Sequence, residues 1–137
     1  MTYDLFTKLL SSIGDYQKSI DKARTKLEVL EYAETGVKGI SYTKTPLSHN
    51  PSLSALKRLE LVDEVDELKR EINFYQSRLD ANKEITDEIM ARMPQELRDM
   101  LNDRFVLGMT FSRIAEKYHY SESWLWVKLR NEPEEYL

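Results

Sequence analysis

RFVLGMTFSRIAEKYHYSESWLWVKLR, Arg104 to Arg130, is laid out as short helices joined by a tight turn. Thr110 and Ser121 carry the side-chain oxygens that cap helix N-termini, and Gly108 suits the end of the helix before them. The spacing predicts helices over Pro94 to Leu107, Thr110 to Tyr118 and Ser121 to about Asn131. Ile114 and Ala115 face inward. The small Ala115 allows close approach, while Ile114, Tyr118, Leu125 and Leu129 supply the apolar contacts that fix the interhelical angle. This is the pattern of a helix-turn-helix. Its turn position is His119, one of the non-glycine residue types tolerated at positive φ. The acidic tail NEPEEYL is expected to fray.

On a wheel centred on Leu125 and Leu129, the outward side of the last helix carries Ser123, Trp126, Val127 and Arg130, flanked by Glu122 and Lys128. These are the candidate contacts to a DNA major groove. Arg113 and Lys117, one turn apart on the preceding helix, stand where phosphate contacts are expected. Trp124 and Trp126 lie about 200° apart around the helix, so both cannot face the core. Trp124 is expected to be partly in the core and Trp126 at an interface.

Upstream, Phe6, Leu9, Ile13, Tyr16, Ile20, Ala23, Leu27 and Leu30 recur at alternating spacings of three and four, which predicts one helix from about Thr2 to Glu34. Gly14 falls off this stripe. The helix is expected to end near Thr35 and Gly36, because TGVKGISYTKTPLSHNP, residues 35–51, holds two glycines and two prolines and reads as a long connector. A second long helix starts at Ser52 or Ser54 and runs to about Arg92, with Leu61, Val65, Leu68, Ile72, Tyr75 and Leu79 at the same spacing. Asn82 then occupies the next stripe position, and Ile85, Ile89 and Met93 suggest either a shifted stripe or a polar residue that fixes register. Residues 1–93 thus read as a scaffold and 94–137 as the helix-turn-helix domain. The two stripes fit an antiparallel hairpin within one chain, self-association into a homo-oligomer (a dimer by preference), or both.

The chain has 137 residues, 41% hydrophobic and 32% charged, which is ordinary for a globular protein, and only four Gly and four Pro, too few for a sheet-rich fold. An all-α fold is expected. No run of about 18 apolar residues suggests a membrane span or a signal peptide, so a soluble cytoplasmic chain is the expectation. Without Cys there is no disulfide, thiolate zinc site or thiol nucleophile. Two histidines, His49 and His119, are too few for a convincing metal site, and no cofactor is expected. The run EVDELKRE, residues 64–71, reads as a solvated helix face rather than a catalytic acid and base pair, and no phosphate-cradling glycine loop is present. The chain reads as a non-enzyme. The net charge of −4 does not favour nucleic acid. Residues 94–137 carry six bases (Arg98, Arg104, Arg113, Lys117, Lys128, Arg130) against eight acids (Glu96, Asp99, Asp103, Glu116, Glu122, Glu132, Glu134, Glu135). Dimerisation would double the bases presented to DNA.

The segment from Arg104 to Leu129 resembles region 4 of sigma-70-type sigma factors. The whole chain, including GVKGISYTKTPLSHNPS after an N-terminal helix, resembles prophage-encoded regulators of Gram-positive bacteria grouped with the RinA and ArpU late-transcription regulators. The resemblance implies control of late phage genes through double-stranded promoter DNA, with host RNA polymerase as a further partner. Two other functions fit the same layout: a protein-interaction module docking on the polymerase or another protein, and a small DNA-recognition subunit of phage packaging.

Overall fold

The computed structural model of the chain describes the backbone of residues 1–43 and 51–137 and the side chains of 1–33 and 55–137. The described residues are helical, with no strand. The order is α1 (Tyr3–Thr43), α2 (Pro51–Met90), α3 (Gln95–Leu101), a π-helical turn (Asn102–Val106), α4 (Phe111–Tyr118), α5 (Glu122–Asn131) and a closing 3-10 turn (Glu132–Tyr136).

α1 does not stop at Thr35 as its composition suggests. It continues to Thr43, because Gly36 and Gly39 each cost only about 1 kcal/mol of helix propensity and forbid nothing. Residues 35–43 of the expected connector are therefore helical, and residues 44–50 lie outside the described residues. α2 begins at Pro51 rather than at Ser52 or Ser54, since a first-turn proline gives up no helical hydrogen bond.

Contacts group the chain into two units, one of residues 1–18 and 77–137, the other of residues 19–76. In the first, the start of α1 is buried over a wide arc at Phe6, Leu10, Ile13 and Gly14, and shares its core with Leu79, Met93, Leu97, Met100, Leu101, Ile114, Leu125 and Leu129. The α2 stripe does not shift after Leu79. It keeps its spacing through Asn82, Thr86, Ile89 and Met93, with Thr86 1% exposed and Ile85 42% exposed. Asn82 Nδ2 donates to Ser12 Oγ at 2.7 Å, and Ser12 in turn donates to the Leu9 carbonyl at 2.7 Å. Thr86 Oγ1 donates to the Lys83 carbonyl, so both polar positions on the stripe are satisfied.

Gly14 is also more than an off-stripe position. The π-helical turn lies directly against it, and a Cβ there would overlap the Val106 carbonyl oxygen. The C-terminal tail forms a 3-10 turn rather than fraying. Pro133 is buried and Glu132 pairs with Lys128 at 2.6 Å.

In the second unit, α1 and α2 run side by side and antiparallel. Ser19, Lys22, Ala23 and Lys26 meet Tyr75, Glu71 and Leu68, and the next turns of α1 meet Glu67 and Glu64. Among the described residues of this unit, Ile20, Ala23 and Val65 are the buried apolar side chains, while Leu27, Leu30, Leu61, Leu68 and Ile72 are half-buried.

Candidate nucleic-acid interface

α4 is capped by Thr110, whose Oγ1 accepts from the Arg113 backbone N–H at 3.3 Å. Ile114 and Ala115 are buried, as their spacing predicts. The helix ends at His119, in the left-handed region at φ 62° and ψ 43°. The next residue turns back, with the Tyr120 N–H donating to the Ala115 carbonyl at 2.9 Å. Left-handed angles cost an L-residue about 1 kcal/mol relative to glycine. His119→Gly should therefore stabilise the protein by up to about 1 kcal/mol, read as a higher urea midpoint at unchanged slope.

α5 starts at Ser121, whose Oγ accepts from the Trp124 N–H at 3.2 Å. Leu125 and Leu129 are anchored in the core, which leaves the far side of the helix open. Glu122, Ser123, Trp126, Val127 and Arg130 are all exposed, Trp126 at 57% and Val127 at 52%. The Arg130 guanidinium lies over the Tyr3 ring at 5.0 Å, so the start of α1 supports it from the side. Arg113 is exposed on α4.

Lys117 and Lys128 are held differently. Lys117 Nζ bonds Asp103 Oδ2 at 2.8 Å, and that hydrogen bond raises the ammonium above its ordinary range. Lys128 pairs with Glu132 and covers the Trp124 ring at 4.9 Å. Trp124 is not a core residue: it is 43% exposed and stacks on Tyr120 with ring centroids 4.0 Å apart. The Tyr120 hydroxyl donates to Glu96 at 2.6 Å, tying this stack to α3 and raising the phenol above its usual range. Trp124, Val127, Lys128, Asn131, Glu132 and Glu135 line a shallow groove of about 420 Å³ beside the open face.

Residues the sequence gives no sign of hold this arrangement. Asp103, 4% exposed on the π-helical turn, accepts from both Lys117 and the Tyr118 hydroxyl, the latter at 2.7 Å. Burial first, and then the Asp103 bond, raise the Tyr118 phenol. Arg104 donates to the Met109 carbonyl at 3.0 Å and lies 4.2 Å over the Phe111 ring, fastening the loop that leads into α4. Among the described residues, no cluster of His, Asp or Glu is placed to hold a metal ion, and no helix is long and apolar enough to cross a membrane. Comparison with known proteins finds no matching family model, curated protein or solved structure.

Proposed function

We propose that the chain is a DNA-binding transcriptional regulator of the phage late-gene kind, in which α4, the turn at His119 and α5 act as a helix-turn-helix. The observation that carries this reading is the open side of α5: Ser123, Trp126, Val127 and Arg130 project from a helix whose opposite side is locked by Leu125 and Leu129. Such a rod enters a major groove without unfolding anything. Arg130 suits the two acceptors of a guanine edge, and Trp126 and Val127 suit a thymine methyl. Arg113 suits a backbone phosphate. With Lys117 and Lys128 paired within the chain, each copy offers about two free cations, so log K against log salt should fall with a slope of only about −2 per copy. Sequencing of genomic fragments captured by the full chain tests the reading. Arg130→Ala should weaken the captured site roughly 5- to 150-fold at fixed salt. Equal capture of all fragments, unaffected by Arg130→Ala, counts against it.

A second reading, docking on host RNA polymerase or another protein, is favoured by one observation. Trp126, Val127 and Trp124 expose apolar surface on a helix with few free cations, and tryptophan anchors protein interfaces more often than it reads bases. Trp126→Ala would then abolish capture of the protein partner, while Arg130→Ala would leave it nearly unchanged.

A further inference from the structure

The groove between α1 and α2 in residues 19–76 is independent of the α5 face and of the reading built on it. Its volume is about 460 Å³, and it is lined by Thr25, Lys26, Val29 and Leu30 on one side and Glu64, Glu67, Leu68 and Glu71 on the other. We propose that this groove is the dimer interface, occupied by the same groove of a second copy. Three observations carry it. First, two helices alone do not close their seam: Leu30 and Leu68 stay half-buried and Val29 is 62% exposed beside the groove, a knob next to a hole on one surface. Self-complementarity of that kind is what a two-fold contact requires.

Second, the rims carry opposite charge. Lys26 stands on the α1 rim and three carboxylates on the α2 rim, at the same level of the groove. Among the described residues none of these four is held in an ion pair. A two-fold axis along the groove, parallel to the helices, lays α1 of each copy over α2 of the other at the same height. Lys26 then faces Glu64, Glu67 and Glu71 of the second copy, and Val29 enters the opposing groove. An axis across the helices would instead set α1 on α1 and α2 on α2, bringing three carboxylates against three. Charge selects the first arrangement. Third, the face is large enough: a pair of helices about 20 Å wide and roughly 30 Å long covers on the order of 600 Å² per copy, or about 1,200 Å² in all, at the lower bound of specific interfaces. The product is a four-helix bundle.

Mass measurement of the full chain across a concentration series tests this. Two copies are expected at tens of micromolar. Val29→Glu, at an exposed position that leaves the fold intact, should raise the dissociation constant roughly 10- to 100-fold, because a two-fold interface meets each change twice. Lys26→Glu and Glu67→Lys should each weaken the dimer, and the double variant should recover it at unchanged helix content. A single-copy mass at every concentration, an assembly of three or more copies, a dimer indifferent to Val29→Glu, or failure of the double variant to recover overturns the proposal.

Discussion

The Gly14→Ala protein should melt several degrees below the wild type, although alanine is the better helix former by about 1 kcal/mol. Gly14 lies inside α1, three turns from its start, and propensity predicts a gain on replacing it. The opposing effect is larger. The methyl group would overlap the Val106 carbonyl oxygen, a backbone atom in a turn already fixed by its own hydrogen bonds: Leu107 N–H to the Asn102 carbonyl at 3.0 Å and Met109 N–H to the Asp103 carbonyl at 2.9 Å. Relief requires α1 and the π-helical turn to separate, which opens the buried set around Phe6, Leu10 and Leu101. Forced overpacking of this kind costs about 1–3 kcal/mol, and backbone offers less give than a side chain, so a net loss of about 2 kcal/mol is expected and more for Gly14→Val. Urea unfolding reads this as a lower midpoint. Lys18→Ala, at an exposed position one turn on, serves as control and should stay within about 0.5 kcal/mol of wild type. A neutral or stabilising Gly14→Ala would show that the turn does not bear on α1 in solution.

Gly14 also shows where sequence reading stops. The apolar stripes of α1 and α2 are legible because they are local and repeat. Gly14 is not, because its reason lies 92 positions along the chain in Val106. The same limit explains Asn82 and Thr86. Counting apolar residues moves the stripe to Ile85, whereas the structure keeps the spacing and places the polar side chains inward, one bonded to Ser12 and the other to its own helix. Glycine and proline act differently as punctuation. Gly36 and Gly39 weaken helix and are overridden, while the limit that proline sets on helix is steric.

The open face of α5 was readable for a related reason. Which side of a ten-residue helix turns inward follows from Leu125 and Leu129, and the caps Thr110 and Ser121 and the left-handed His119 are local choices of residue type. What surrounds that face was not readable. Lys117 and Lys128 look like free cations in the sequence, and each has a carboxylate partner, one of them 14 positions away on a turn of unusual helical pitch. Tyr3 beneath Arg130 comes from the opposite end of the chain. Pairing within the chain, local for Lys128 and long-range for Lys117, therefore changes the electrostatics of the candidate interface more than its shape. On the proposed DNA reading, it leaves Arg113 and Arg130 as the cations best placed for phosphate and base contacts, and a second copy would then add more to affinity than composition suggests.

Asp103→Ala tests that electrostatic account and should be the second large effect. The carboxylate is nearly fully buried, and one oxygen, Oδ2, accepts from both the Lys117 ammonium and the Tyr118 hydroxyl, linking the π-helical turn to the end of α4. Truncation removes two bonds to a charged acceptor and leaves a void, for a loss of about 2–3 kcal/mol. Asp103→Asn keeps an acceptor of the same shape and should lose less. The sign of the pH dependence follows from the raised values of Lys117 and Tyr118. A group held above its unfolded value contributes stability that is complete below that value, 10.0 for Tyr118 and 10.5 for Lys117, and is lost as pH rises through the folded one. Wild-type melting temperature should therefore fall more steeply than that of Asp103→Ala as pH rises above about 10, and the two curves should draw together at the alkaline end. The part of the Tyr118 effect that comes from burial persists in the variant, so the variant's curve should also fall there, only less steeply. The same substitution releases the Lys117 ammonium on the outer side of α4. On the proposed DNA reading, one further phosphate contact becomes available to each copy, and the salt slope should steepen by about 0.9. A protein that loses stability while gaining salt-sensitive, sequence-independent DNA affinity would separate what Asp103 does for the fold from what it withholds from the interface.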